Sequence, residues 1–226
     1  LNTGGNNLLF RTGGVQHIAV QGGLGAATLN DAGGNLFAGL TAGGTLQIDS
    51  GVTLQGYGAV YDFNVSALTN NGSIIANTTG QTFSINNSSV TNNGTMSVTA
   101  GSMIVSPAAL NNGTIKVASG ATFSDPNGFT NNGILTGTGT IAVGTGVAGL
   151  INQGTISPGG TGVAGTLNIT GDLQLTASSI LSVDLGGTGA GQSDKLSVTG
   201  NITNAGTLNA GLLAGYTPVI ADAIPF

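Results

Sequence analysis

A short pattern of apolar and polar residues recurs along the middle of the chain. The full order, apolar, polar, Asn, Asn, Gly, polar, apolar, is found in two copies and varied in the other three, and the glycines are 22, 19, 20 and 21 residues apart. The copies span residues 68–74, 90–96, 110–115, 129–134 and 150–156. A period near twenty residues is typical of solenoids, in which each repeat stacks on its neighbours. The pattern predicts one coil of a parallel β-helix per copy, with rungs of about 20 residues.

The Asn-Gly pair in each copy indicates a tight bend, because both residues tolerate positive φ. Asn-Gly between apolar runs is also typical of a β-hairpin, so an antiparallel meander is the alternative. The bend recurs at the repeat period rather than at every strand end, which favours the coil. The predicted structural turn residues are Asn71, Gly72, Asn93, Gly94, Asn112, Gly113, Asn132, Gly133, Gln153 and Gly154.

Short stretches between the bends alternate polar and apolar residues, as half-buried strands do. A second, looser bend falls between them, at 79–80, 100–101, 119–120 and 137–139. Two or three strands per coil would close a rung with apolar side chains inside. The predicted core positions are Leu68, Ile74, Met96, Val98, Leu110, Ile115, Val117, Phe129, Ile134, Ile151 and Ile156.

The chain is predicted to be one continuous domain, since no stretch has the composition of a linker. Residues 1–27 are glycine-rich, and we expect them to form an N-terminal cap or a segment that pairs with another subunit. Residues 28–226 are predicted to form the β-helix, with irregular rungs at 28–67, regular rungs at 68–157 and divergent rungs at 158–226. From its first and last residues we expect a processed chain or a fragment of a longer protein.

Charged residues are sparse: three Lys or Arg and eight Asp, with no Glu. Like charges stacked about 4.8 Å apart in successive rungs would repel, whereas Asn, Thr and Ser can hydrogen-bond along a column. The net charge of −5 and the lack of basic clusters argue against nucleic acid and anionic membranes as partners. No apolar run reaches the ~20 residues of a membrane span. There is no cysteine, so disulfides are excluded.

Catalytic chemistry finds little support in the sequence. A Ser-His-Asp triad would have to use His17, the single histidine, and no nucleophile-elbow sequence is present. Glycosidases need two carboxylates facing one groove. The separations of Asp49 from Asp62 and of Asp184 from Asp194 do not equal a rung. We therefore expect no catalytic residue, no cofactor and no enzyme activity.

Three further patterns have plain structural interpretations. Residues 186–196 hold one imperfect copy of a calcium-binding glycine-rich repeat, which is too few to supply the ligands, so no metal site is expected. A Thr-x-Thr run at 136–140, of the kind that suits ice binding, does not recur at the rung period. Asn-x-Ser/Thr sequons mark candidate glycan-attachment sites, although an Asn- and Thr-rich chain holds many by composition. They begin at Asn64, Asn71, Asn77, Asn86, Asn87, Asn93, Asn112, Asn168 and Asn201.

The repeats and the C-terminal third resemble a known family. Residues 154–159 read Gly-Thr-Ile-Ser-Pro-Gly, and residues 165–173 read Gly-Thr-Leu-Asn-Ile-Thr-Gly-Asp-Leu. A related phrase follows at 193–200 and 206–210. These phrases resemble those of filamentous-haemagglutinin-type exoproteins and autotransporter passenger domains, over roughly residues 40–226.

The resemblance implies a right-handed parallel β-helix on the bacterial cell surface or in the extracellular space. We predict first a structural role, as a subunit of an extracellular fibre or surface matrix that forms a homopolymer by end-to-end or edge pairing. The alternative is a monomeric adhesin passenger domain that binds a cell-surface partner through its side. The N-terminal secretion domain of the haemagglutinin kind and an outer-membrane barrel are not recognised in the sequence.

Overall fold

The chain folds as a parallel β-solenoid in a computed structural model, which describes residues 1–10, 14–20, 25–38, 43–62 and 66–224. Over this part of the chain, 23 strands are joined by bends and one short 3₁₀ helix, Gly146–Ala148. Neighbouring strands pair in parallel along both sheets. The prediction of an all-β parallel β-helix is confirmed, and the antiparallel meander is excluded.

One sheet has nine strands, and each strand between its two outermost ones pairs with the strand one rung before and one rung after. Strands are numbered along the chain. This nine-stranded sheet contains, in spatial order, β2 (Val15–Ile18), β4 (Thr45–Ile48), β6 (Ala67–Asn70), β8 (Ser89–Asn92), β10 (Ala109–Asn111), β13 (Phe129–Asn131), β16 (Leu150–Asn152), β19 (Leu173–Leu175) and β22 (Ile202–Asn204).

The other sheet has fourteen strands and divides part way along the solenoid. Its main path contains β1 (Leu8–Leu9), β3 (Ala27–Ala38), β5 (Val52–Asp62), β7 (Ser73–Asn86), β9 (Thr95–Val105), β11 (Thr114–Val117), β14 (Ile134–Gly137), β17 (Thr155–Pro158), β20 (Ile180–Leu185) and β23 (Thr207–Leu212). A branch that starts at β9 contains β12 (Thr122–Asp125), β15 (Thr140–Val143), β18 (Thr166–Thr170) and β21 (Lys195–Val198).

The division gives each later rung three faces. Strands β5, β7 and β9 are 11 to 14 residues long, and β9 pairs with β11 through its first half and with β12 through its second. From there the chain runs from the nine-stranded sheet to the main path, then to the branch, and back again. A bend separates each pair of faces.

The register fixes the length of a rung. Asn70, Asn92, Asn111, Asn131 and Asn152 are direct partners in successive strands, so one rung takes 19 to 22 residues here. Rungs are longer at both ends: Ile18 pairs with Ile48, and Leu173 pairs with Ile202. Because every strand stacks in register, equivalent side chains form columns about 4.8 Å apart.

The core is a continuous column of apolar side chains inside the coil. Leu54, Ile74, Met96, Ile115 and Leu135 follow one another in register, and each is 1 % exposed or less. The rings of Phe123 and Phe129 meet edge-on at 5.6 Å. Most predicted core positions are buried: Leu68, Ile74, Met96, Val98, Ile115, Val117, Phe129 and Ile156.

Three predicted core positions were wrong. Leu110 and Ile134 are 36 % and 45 % exposed, and Ile151 is half-buried on the outer surface. Leu110 and Ile151 occupy the outward column of Thr91, because the residue directly before the corner Asn faces solvent. Ile134 similarly occupies an outward column of threonines, and Leu135 beside it enters the core. Successive side chains of a strand point to opposite faces, so a prediction that is wrong by one residue places an outward side chain in the core.

The last rung has a neighbour on one side alone. Strand β22 pairs with β19, and β23 pairs with β20. Every residue of β22 and β23 is exposed. Leu208 continues the core column of Leu181 but is 49 % exposed. The solenoid core is therefore open at this end of the described residues.

Over the described residues, no helix is long and apolar enough to cross a membrane.

Candidate functional surfaces

The predicted turn residues lie at the corner between the nine-stranded sheet and the main path of the other sheet. Positive φ, expected there, is found instead at the second bend, at Gly80, Gly101 and Gly120. None of the corner glycines Gly72, Gly94, Gly113, Gly133 and Gly154 takes positive φ. Their requirement for glycine therefore has another cause.

The corner glycines are required by close backbone packing. A Cβ on Gly113 would lie well under 3.0 Å from the carbonyl oxygen of Gly94, and a Cβ on Gly133 would meet Gly113 in the same way. The Gly94 carbonyl also accepts a hydrogen bond from the next rung, because Thr114 N–H donates to its oxygen at 2.9 Å. Glycine at this corner thus lets successive rungs approach to hydrogen-bonding distance.

A buried row of asparagine amides runs along the inside of this corner. The Nδ2 atoms of Asn70, Asn92, Asn111 and Asn131 each donate to the Oδ1 atom of the next asparagine, at 2.6 to 2.7 Å, and the row ends at Asn152. These side chains are 1 % exposed or less. Each interior amide is satisfied along the stack, so the row removes the cost of burying polar groups in the core.

A second, exposed row of amides runs beside the first, one residue along the chain. Here the Nδ2 atoms of Asn93, Asn112 and Asn132 donate to the Oδ1 atom of the preceding rung, each at 3.0 Å. Three of the candidate glycan-attachment sites, Asn71, Asn93 and Asn112, belong to this row. The exposed Asn77 and Asn201 stand outside it, Asn87 is buried, and Asn64 lies outside the described residues.

His17 lies on the outer face of the nine-stranded sheet, near the N-terminus. Its Nδ1 atom is 2.9 Å from Oδ1 of Asp49, and Gln47 Nε2 donates to the same oxygen at 2.7 Å. The hydrogen bond from His17 holds the pKa of Asp49 below its usual range. The group is exposed, and the side chain of Asp62, considered with Asp49 in the sequence, lies outside the described residues.

Asp184 and Asp194 lie close together, and their oxygens are used by the backbone. Asp184 N–H donates to Oδ2 of Asp194 at 2.9 Å, and Gly165 N–H donates to Oδ1 at 2.8 Å. Burial raises the pKa of Asp194. The glycine-rich segment between them is closed by Gln192, whose Oε1 accepts from Gly189 N–H. No group of three or more His, Cys, Asp or Glu among the described residues could hold a metal ion.

Asp125 is a fully buried carboxyl at the end of β12. Its Oδ2 accepts from Ala109 N–H at 2.9 Å, and its Oδ1 accepts from Asn127 N–H at 3.2 Å. Burial raises its pKa to about 7, against the opposing effect of these two donors. The side chain joins β12 to the start of β10 and so acts within the fold.

A shallow groove runs along the outer face of the nine-stranded sheet. Two adjoining depressions, of about 310 and 350 Å³, share Val147, Gly149 and Ile151 in their lining. The floor is flat because Gly128 and Gly149 carry no side chain. We call this surface the side groove and define it by the following residues: Thr91, Leu110, Thr130, Val147, Ile151 and Gln174.

A loop held by hydrogen bonds to Asp172 borders the side groove. It holds the 3₁₀ helix, and the side chain of Val147 at its tip is fully exposed. Oδ2 of Asp172 accepts from Gly146 N–H at 2.8 Å, and Oδ1 accepts from Asn201 N–H at 2.7 Å, so one carboxylate ties the loop to the next rung. The Gly146 donor, with that of Asn201, lowers the pKa of Asp172. Periodicity in the sequence does not predict this loop, since the loop occurs once.

The comparisons with known proteins found one local similarity. Over 82 residues, 34 % of this chain, the sequence is 42 % identical to a protein named "Adhesin BmaC autotransporter" from Brucella suis biovar 1 (strain 1330). The chain spans about 2 % of that protein's length. No family profile matches the chain, and no solved structure matches it. The chain is therefore a β-solenoid with local similarity to an autotransporter adhesin; the filamentous-haemagglutinin relationship stays a prediction.

Proposed function

We propose that this chain is a β-solenoid segment of a bacterial surface adhesin, displayed outside the cell and binding a partner through its side. The observation that carries the proposal is the 42 % identity over 82 residues to a protein named as an autotransporter adhesin. This reverses the order of the two functions expected from the sequence, where the fibre subunit came first. The proposal includes no catalytic role.

The fold suits such a role physically. Its apolar side chains fill the coil, so ligands have access to the outer faces rather than to a deep pocket. Hydrogen bonds between rungs hold these faces rigid along the stack, and a rigid surface loses little conformational entropy when it binds. A parallel solenoid therefore presents a long, preformed lateral surface.

Adhesion of beads to cells tests the proposal. Beads coated with the monomeric chain should be retained on cultured epithelial cells, and soluble chain should compete for retention. Beads coated with the Gly113→Val variant, in which a side chain would clash with the preceding rung, should be lost on washing. Equal retention of coated beads and of beads carrying an unrelated protein would refute an adhesive role.

A second candidate function is the fibre subunit. It is favoured by the sparse charge of the chain, three Lys or Arg and eight Asp, which reduces repulsion between packed copies, and by the exposed apolar side chains of Leu208 and Leu212 in β23. An exposed strand edge with an apolar cross-section can pair with another chain. At high concentration, electron microscopy should then show rods longer than one subunit, and Leu208→Lys should abolish them. Monodisperse single rods from the unmodified chain would exclude this function.

A further inference from the structure

Apart from Asp172, the lining of the side groove is uncharged, and it is rich in hydrogen-bonding groups. Thr91, Thr130 and Gln174 offer hydroxyls and an amide, and they alternate along one column with the apolar Leu110 and Ile151. Among the described lining residues, Asp172 is the ionisable one, and its two oxygens already accept backbone N–H groups. The groove thus favours a neutral ligand that carries both hydroxyl groups and apolar faces.

The backbone beneath the groove is not available to a partner. Strand β10 pairs with β8 and β13, and β16 pairs with β13 and β19, so the strands of the floor are paired on both sides. A peptide that binds by adding a strand needs an unpaired edge. Recognition in the side groove must therefore come from side chains.

The spacing of those side chains separates a sugar chain from a peptide. The column repeats once per rung, about every 4.8 Å along the solenoid axis. An extended peptide presents a side chain to one face every second residue, about every 6.6 Å, and soon loses register with the rungs. One sugar ring in an extended polysaccharide has nearly the length of one rung, so successive rings of a sugar chain can meet the alternating polar and apolar side chains of successive strands.

We propose that the side groove binds a neutral polysaccharide that lies along the solenoid axis, with about one sugar ring per rung. The inference rests on the proposed adhesin function and names the class of its ligand. Hydroxyl groups of the sugar bond to Thr91, Thr130 and Gln174, while Leu110 and Ile151 contact the apolar faces of the rings. From Thr91 in β8 to Gln174 in β19 the groove crosses five strands and is about 19 Å long, enough for roughly four rings.

The loop of Val147 supplies an anchor at the middle of the groove. A fully exposed valine adds nothing to the core, yet Asp172 holds its loop in a fixed position above Ile151 and Gly149. A preorganised apolar side chain contributes more to binding than a mobile one, because less entropy is lost on binding. The two side chains at the shared part of the groove, Val147 and Ile151, should therefore matter most.

Binding to immobilised hexasaccharides tests the proposal. The probes are neutral hexamers of glucose, mannose, galactose, xylose or N-acetylglucosamine, with sulfated and uronic-acid hexamers for comparison. The chain should bind at least one neutral hexamer, about tenfold more tightly than the corresponding disaccharide. Binding should change little between about 50 mM and 500 mM salt, because no ion pair is involved. Binding to charged hexamers alone, or to none of the probes, would overturn the proposal.

Matched substitutions locate the bound sugar. Ile151→Thr should weaken hexamer binding about tenfold, and Val147→Ser similarly, because each removes an apolar contact. Ile151→Thr should fold normally, since Thr91 and Thr130 occupy the same column. The control is Ile134→Thr, the same exposed change on the other sheet, which should leave binding unchanged. Equal effects of the two Ile→Thr variants, or no effect of either, would contradict a site in the side groove.

The two proposals can fail separately. If the chain binds a neutral hexamer but coated beads do not adhere to cells, the adhesin role fails and the sugar site stands. If beads adhere and no neutral hexamer binds, the sugar site fails and the adhesin role stands.

Discussion

The rungs between β6 and β17 and the rungs after them use the same strand order but differ in how they are held together. In the first region, successive corners carry Asn and Gly, and two rows of side-chain amides connect one rung to the next. In the second, the inner row stops because Asn152 faces Leu175, an apolar residue. The register of strands continues past this point, so parallel pairing and apolar packing suffice to propagate the coil.

The last described rung keeps the corner hydrogen bond but does not bury its leucine. Residues 204–208 read Asn-Ala-Gly-Thr-Leu and restart the corner phrase, and Gly206 N–H donates to Oδ1 of Asn204 at 3.0 Å. The equivalent bond at the start of the inner row joins Gly72 N–H to Asn70. Local geometry at the corner is therefore encoded within one phrase, whereas burial of its leucine needs the next rung.

The largest effect is expected from a side chain at a regular corner. Gly113→Ala should lower the free energy of unfolding by about 3 kcal/mol or more, because its Cβ would overlap the carbonyl oxygen of Gly94. Gly211→Ala is the control: it lies in exposed β23, and its Cβ would meet Oδ1 of Asp184 at 3.2 Å, a tight contact with a side-chain atom rather than with backbone. Urea unfolding of both variants gives the comparison. Similar losses in the two variants would contradict the role given to the corner.

Each region contains a buried carboxyl, Asp125 in the first and Asp194 in the second, that should make stability depend on pH. The folded-state pKa of Asp125 is raised from 3.8 to about 7, so the folded chain holds this proton more tightly than the unfolded chain. The stabilisation from this carboxyl is complete below about pH 4 and is lost as pH rises through 7, which amounts to roughly 4 kcal/mol. Unfolding by urea from pH 4 to pH 8 should show the decline.

Asp125→Asn should remove most of this decline. Asp194→Asn, in the second region, should remove a smaller part, since the pKa of Asp194 is raised by burial in the same direction. A stability that rises with pH in the unmodified chain would contradict the assignment to Asp125.

The inner and outer amide rows differ within the regular region itself. Asn111→Ala should cost about 2 kcal/mol, because it leaves the buried Nδ2 of Asn92 and Oδ1 of Asn131 without their partners at 2.6 Å. Asn112→Ala, one residue along in the exposed row, should cost about 0.5 kcal/mol, since water can replace the lost partners. Thermal unfolding of the pair measures the difference, and equal losses would show that burial of the inner row is unimportant.

The smallest effect is expected at Ile134. Ile134→Thr should change the free energy of unfolding by less than about 0.5 kcal/mol, because the side chain is 45 % exposed among threonines. Leu135→Thr, at the neighbouring core position, should cost several-fold more. A large loss of unfolding free energy in Ile134→Thr would contradict the exposed position of this side chain.

The repeat in the sequence contains much of the fold, because the same residue types return to the same place in every rung. The glycine period predicts the coil, and the alternation of side chains predicts the inward positions of Ile74, Met96 and Ile115. Aligning the copies by their apolar residues misplaces Leu110 and Ile134, since the fixed points of the corner are the Asn and the Gly. The hydrophobic pattern could not predict that the first Asn of each pair is buried, because Asn is a polar residue.

The side groove could not be predicted from the sequence, for a different reason. It joins outward residues of separate rungs, such as Thr91 and Gln174, with a loop that occurs once. Their proximity depends on the register of five strands, β8, β10, β13, β16 and β19. Asp172, which positions the loop, stands in the "Gly-Asp-Leu" phrase used for the resemblance, where nothing indicates its two backbone partners.

The two amide rows at the corner have one further consequence, for electrical polarity. Peptide groups aligned along an α-helix add up to a macrodipole that leaves partial charges at its ends. Here the inner amides donate towards the C-terminal end of the stack and the outer amides towards the N-terminal end, so neighbouring dipoles oppose each other and largely cancel. Extra copies of the corner could therefore lengthen the rod without accumulating charge at its tips.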